Sequence, residues 1–287
     1  MGDNEMAMKT KEVPESPHHL SLTMFGAENF LKEPKNIPII LIFKMAAIQK
    51  VANVARETFK TILIDKTLIT DKLNILKCLC NEIKAADLNI TLSTQEALSS
   101  NSARPSYSRP PVSYMEIYED KVLTMGIFLL RKGSRIPLHD HPGMYGFCRV
   151  LYGTISVESF SHIDKDISEL NVPEFEEFQD KPGPDMRFLT PTKHNQSGEF
   201  SSNTGTCVLL PRIGNYHELK AVDGPAAFLD ILAPPYEPER GRDCLYYKLL
   251  SEKTGDTKWL LQIDPPRDFW CDNLPYPGPE VTFAEAQ

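Results

Sequence analysis

Two histidines lie two residues apart in the segment Gly133-Ser-Arg-Ile-Pro-Leu-His139-Asp-His141-Pro-Gly-Met-Tyr-Gly-Phe-Cys-Arg-Val-Leu-Tyr-Gly153. On an extended chain, residues i and i+2 project to one face, so both imidazoles can reach a single metal ion. Pro137 and Pro142 bracket the pair and hold the backbone away from helix. Asp140, between them, then points the opposite way. A third histidine, His217, closes the run Gly205-Thr-Cys-Val-Leu-Leu-Pro-Arg-Ile-Gly-Asn-Tyr-His217. A His-x-His pair alone describes two polar strand residues as readily as a metal site, and the flanking sequence has to decide between them.

Elements able to carry such a site can be read from periodicity. Ile48, Val51, Ala52, Ala55, Phe59 and Ile62 recur at helical spacing from Met45 onward. A second amphipathic stripe runs through Leu68, Leu73, Leu76, Leu79, Cys80 and Ile83, with Thr70 or Asp71 as its expected cap. The Ser-, Arg- and Pro-rich run between Leu98 and Val112 reads as an irregular connection. Beyond it, apolar stretches at Val122–Leu130, Gly146–Tyr152, Thr154–Phe160, Thr206–Leu210 and Ala226–Leu232 are separated by Gly, Pro and Asp. Short strands without long helices between them predict an antiparallel sandwich or small barrel. The acidic stretch from Asp164 to Asn203 reads as an insertion over that barrel, and its His194, like His162 before it, as an ordinary side chain.

Three segments result: residues 1–44, a leader without periodicity that contains His18 and His19; residues 45–110, helical and packed on the barrel; and residues 111–287, the β-rich body.

Composition narrows the function classes. A formal charge of -8 without a basic block argues against a nucleic-acid partner. The longest apolar run, Ile39 to Phe43, is too short to span a bilayer, so no membrane partner is expected and the cytoplasm is the default location. The six cysteines are scattered without a CxxC pair and read as free thiols.

The Gly133–Gly153 and Gly205–His217 segments resemble, in order and flanking glycines, the two signature motifs of the cupins, whose double-stranded β-helix (jelly-roll) barrel frames a metal. One departure stands out: a cupin usually has a glutamate a few residues after His-x-His, and Gly146 stands at about that place. Three imidazoles without a carboxylate leave a divalent metal its full charge and favour an anionic substrate ligand.

This pattern is similar to the cysteamine (2-aminoethanethiol) dioxygenase and plant cysteine oxidase family of cupin thiol dioxygenases, from about Met45 to the C-terminal region. The resemblance implies Fe(II) held by His139, His141 and His217, with O2 and a thiol as substrates. The thiol would belong to a small aminothiol or to the N-terminal cysteine of a protein, and oxygen sensing and a monomeric state are further implications. Within Val222–Tyr236, Asp230 is an acid in an apolar run, which burial penalises unless it is paired. The family likeness implies that it receives the substrate ammonium, and that Tyr236 lies near the iron to orient substrate or oxygen; an internal hydrogen bond and turn packing are the alternative accounts. Arg240–Tyr247 resembles the animal members, in which the counterparts of Cys244 and Tyr246 can be covalently joined; packing is the plainer reading. The competing functions are a cupin that binds metal without turnover and a dioxygenase of a carbon substrate.

Overall fold

The computed structural model describes residues 45–62, 69–91, 109–251 and 256–284. The leader 1–44, Leu68, the side chain of Ile62 and residues 98–108 of the expected connection lie outside the described residues.

Among the described residues two helices come first, α1 (Ala47–Ile62) and α2 (Ile69–Glu82). The α1 stripe is buried as its spacing requires, with Ile48, Val51, Ala52, Ala55 and Phe59 at most 4% exposed. In α2, Leu76 and Cys80 are fully buried. The expected cap is corrected: Thr70 and Asp71 lie inside α2, which already begins at Ile69. Asp71 serves the first turn as an acid near the positive end of the helix dipole instead.

Ten strands follow among the described residues: β1 (Val112–Glu119), β2 (Thr124–Leu130), β3 (Arg135–Asp140), β4 (Tyr145–His162), β5 (Leu189–Ser201), β6 (Cys207–Leu209), β7 (Tyr216–Ala233), β8 (Tyr246–Leu249), β9 (Thr257–Ile263) and β10 (Cys271–Asn273). Their order is β10-β1-β2-β7-β3-β8-β9-β5-β4-β6, and a further β7–β4 pairing closes the ring. This is a mainly β cupin barrel, a double-stranded β-helix preceded by helices.

Closure depends on two long, bent strands, β4 and β7, each of 18 residues. The stretches 146–152 and 154–160 are one strand, broken in register between Val150 and Tyr152 and again between Tyr152 and Thr154. Such bulges re-aim a strand and sharpen its bend. Gly153, at the second of them, has φ +72, and a Cβ there would lie 2.4 Å from the Pro225 carbonyl oxygen. Glycine is therefore required both by conformation and by space.

The expected insertion from Asp164 to Asn203 is also corrected. Its second half is β5, which pairs with β4 over Thr154–His162 and with β9. Its first half turns its charges outward while Phe175, 3% exposed, packs on Trp259.

The core divides between the two faces of the sheet. On the outer face, α1 and α2 share one cluster with Met115, Met125, Ile127, Leu129, Phe147, Leu229 and Ile231. On the inner face, Val112, Ile136, Val150, Leu219 and Phe228 form a second.

Candidate metal centre

Strand register brings the histidines together. His139 pairs across β3–β7 with His217. His141, two residues on, turns to the same side, and the three ring centroids form a near-equilateral triangle with sides of 4.8, 4.7 and 4.9 Å. One nitrogen from each ring lies within 4.8 Å of the others.

The nitrogens that face away are mostly held by the protein, and this fixes which ones face inward. His139 Nδ1 is 2.8 Å from the Pro137 carbonyl oxygen, so Nδ1–H donates and Nε2 keeps its lone pair. Tyr236 Oη donates to the Asp140 carbonyl at 2.8 Å and accepts from His141 Nδ1–H at 2.7 Å. His141 Nε2 is then also a bare lone pair, 3.0 Å from His217 Nε2. Of the two tautomers open to His217, the one with its proton on Nδ1 leaves Nε2 bare as well, and two lone pairs at that separation suit a cation between them. Adjacent nitrogens at right angles on a metal with ~2.1 Å bonds are about 3 Å apart. His217 Nδ1 is buried and has no hydrogen-bond partner among the described residues.

All three rings are nearly inaccessible. Burial pushes His139 down to about 4, and burial together with neighbouring imidazoles holds His141 and His217 well below the ordinary histidine range. The set is neutral at physiological pH and fits a divalent metal. The place where a cupin glutamate would stand is filled: a Cβ on Gly146 would be 2.7 Å from Leu209 Cδ1 and 3.2 Å from Leu232 Cδ2.

The histidines line a cavity of ≈ 200 Å3. Its apolar wall comprises Phe128, Ile136, Leu219, Phe228, Leu232 and Phe269, and its polar atoms come from Asp230, Tyr236, Tyr246, Cys148, Cys244 and Cys271. A larger hollow of ≈ 560 Å3 between Val172 and Met186 gathers no histidine or cysteine and offers no comparable chemistry.

Among the described residues Asp230 is the one carboxylate of the smaller cavity, and neither Lys nor Arg lines it. Protein encloses the side chain, but it still touches the open space of the cavity. Burial raises its pKa to about 7, and among the described residues no cation forms an ion pair with it. On either side along the sheet it faces Cys148 and Gly126.

Asp140 turns out of the cavity, as its position between the histidines requires. Burial raises its pKa to about 6, against hydrogen bonds from Leu245 and Tyr247. Burial pushes the Cys244 thiol up to about 11, against the pull of the neighbouring Tyr236 and Tyr246 hydroxyls. His194 is exposed and bonds Ser197 Oγ at 2.7 Å, and His162 ends β4 half-buried.

Sequence reasoning missed two contributors. Asn215, 4% exposed, accepts from the His141 N–H at 3.2 Å and donates to the Met144 and Leu210 carbonyls. Its signal was available, since it sits two residues before His217. Cys148 is the second, a buried thiol whose pKa is raised well above the ordinary value by burial and by Asp230.

A closed double-stranded β-helix with three neutral imidazoles converging inside defines a cupin equipped to hold a metal. The chain belongs to the PCO_ADO family, whose sequence model matches residues 79–281. The 2-aminoethanethiol dioxygenase of Mus musculus is 41% identical over 223 residues, covering 74% of this chain and 85% of its own. The Homo sapiens protein of the same name is 40% identical over 227 residues, 74% and 82% of the two chains. Plant cysteine oxidase 1 of Arabidopsis thaliana is 28% identical over 204 residues, 71% and 64%. The chain is a dioxygenase of this family.

Proposed function

We propose that the protein is an iron(II) thiol dioxygenase that converts an aminothiol, either 2-aminoethanethiol or the N-terminal cysteine of a polypeptide, to its sulfinate. The supporting observation is the pairing, in one cavity, of three neutral imidazoles with a lone carboxylate and, among the described residues, no basic side chain. His139, His141 and His217 would hold the iron, which when bound supplies the means of reacting O2 with a thiol. The overall change, RSH + O2 to RSO2H, places both oxygens on sulfur and needs no external reductant.

The remaining roles fall to the protein's own groups. Asp230 receives the substrate ammonium, which supplies the missing counter-ion and makes the ionised carboxylate favourable where burial alone opposes it. Free cysteine carries an additional carboxylate, and the described residues of the cavity include no Lys or Arg to accept it. In 2-aminoethanethiol that carboxylate is absent, and in an N-terminal cysteine it is a neutral amide. Tyr236 acts through the ligand set, because its hydroxyl is engaged by His141 and Asp140. Phe128, Phe228 and Phe269 exclude bulk water around the reacting atoms.

Oxidation of N-terminal cysteines at a rate set by oxygen supply would make the protein an oxygen sensor. The test is mass spectrometry of 2-aminoethanethiol and a Cys-initiated peptide after incubation with ferrous-loaded protein in air. Both should gain two oxygen atoms. Zinc held tightly with no oxygen consumed would instead favour a cupin that binds metal without turnover.

A further inference from the structure

Asp140 stands next to both histidines of β3, yet its carboxylate leaves the cavity and reaches the adjacent chain. Oδ1 accepts from the Leu245 N–H at 3.0 Å and Oδ2 accepts from Tyr247 Oη at 3.0 Å. The Asp140 N–H donates to the Leu245 carbonyl at 3.2 Å. Cys244 and Tyr246, which alternate with these partners, face the other way and form a wall of the cavity. Tyr247 packs edge-on against Tyr216, centroids 5.3 Å apart, and Tyr216 is the neighbour of His217.

The tie matters because β3 and β8 share a single register pair, His139 opposite Tyr246. One ladder pair fixes the separation of two strands weakly. The Asp140 side chain, 6% exposed, adds two charge-assisted bonds beside it. Removing the carboxylate would leave a backbone donor and a tyrosine hydroxyl without their partner in a mostly dry site, which costs more than the bonds are worth when made.

We propose that Asp140 is a positioning residue for the substrate: it sets the distance between the three imidazoles and the Cys244–Tyr246 wall, and so governs thiol binding rather than metal binding. This rests on the reading of His139, His141 and His217 as the metal site. Asn at position 140 can accept from Leu245 with its oxygen and donate to Tyr247 Oη with its amide, so it preserves the tie. Ala cannot.

The experiment uses the full chain loaded with cobalt(II), whose visible bands report the ligand field. Titration with 2-aminoethanethiol then gives Kd from the thiolate-to-cobalt band. Asp140→Ala should keep one cobalt per chain and bind the aminothiol roughly tenfold or more weakly, as expected for loss of a buried charged tie. Asp140→Asn should stay within about threefold of the parent, since it can remake both bonds. Tyr247→Phe, which removes one bond and tests the idea if the alanine variant does not fold, should fall between them. Loss of cobalt from Asp140→Ala, unchanged aminothiol binding by it, or an Asn variant as impaired as Ala would each overturn the proposal. A His139→Ala control that keeps both cobalt and the thiolate band would instead refute the metal-site reading beneath it.

Discussion

The two faces of β7 between Ala226 and Ala233 do opposite work. Ala227, Leu229, Ile231 and Ala233 lie in the cluster that carries Ile48, Val51 and Phe59 of α1. Phe228, Asp230 and Leu232 line the cavity with the histidines. Successive side chains of a strand alternate between faces, so neighbours one residue apart have different solvents. On the helix side every position is apolar and closely packed, because a polar group there would have no partner. On the cavity side an acid stands without a counter-ion among the described residues, and its carboxylate is ionised there only at a cost to the fold or with a cation supplied from outside the chain. A buried acid that faces open space beside the histidines fits the role proposed above for Asp230.

The contrast can be broken most severely at the imidazoles. His139→Ala should abolish metal binding and sulfinate formation while leaving the melting temperature of the metal-free protein near that of its parent; metal analysis and calorimetry check both halves. On the opposite face of β7, Leu229→Ala should cost about 2–5 kcal/mol of stability with little change in kcat of the folded fraction. Denaturant unfolding beside single-turnover kinetics would separate the two effects.

Asp230 should respond to pH in a way that Leu229 cannot. Burial raises its folded pKa from 3.8 to about 7, so the folded state binds the proton more tightly than the unfolded one. The stability associated with that proton is fully present below the unfolded pKa and is lost as pH rises through the folded value. Asp230→Asn should therefore raise the melting temperature above about pH 7 and leave it unchanged near about pH 4. In the parent, KM for 2-aminoethanethiol should fall as pH rises through the same region, because only the carboxylate holds an ammonium. Calorimetry and initial rates across pH would show both. The smallest effect belongs to Tyr236→Phe, which removes the hydroxyl from His141 Nδ1 and should weaken metal affinity about 10–100-fold, measured by competition with a chelator.

Much of this contrast is legible in the sequence. Alternation around Asp230 and the spacing of His139 and His141 are local properties of a strand, and the α1 stripe is a local property of a helix. The pairing of His139 with His217 is not local: it depends on the register of β3 against β7, which periodicity leaves open by any even number of residues. Resemblance to a two-motif barrel supplied what spacing could not. β5 escaped notice because Lys193 to Glu199 is exposed throughout and shows no inside–outside alternation. The α2 cap failed for a different reason, since Thr70 and Asp71 suit a first turn as well as a cap.

The proposal at stake is that Asp230, on the open face of β7, receives the amine of the thiol substrate. It is tested most directly by a double-mutant cycle between enzyme and ligand, comparing 2-aminoethanethiol with 2-hydroxyethanethiol on the parent and on Asp230→Asn. The parent should favour the amine by about 100-fold in kcat/KM, in line with a buried charge-assisted hydrogen bond, and the variant should favour neither. A preference for the amine that survives the loss of the carboxylate would contradict the account.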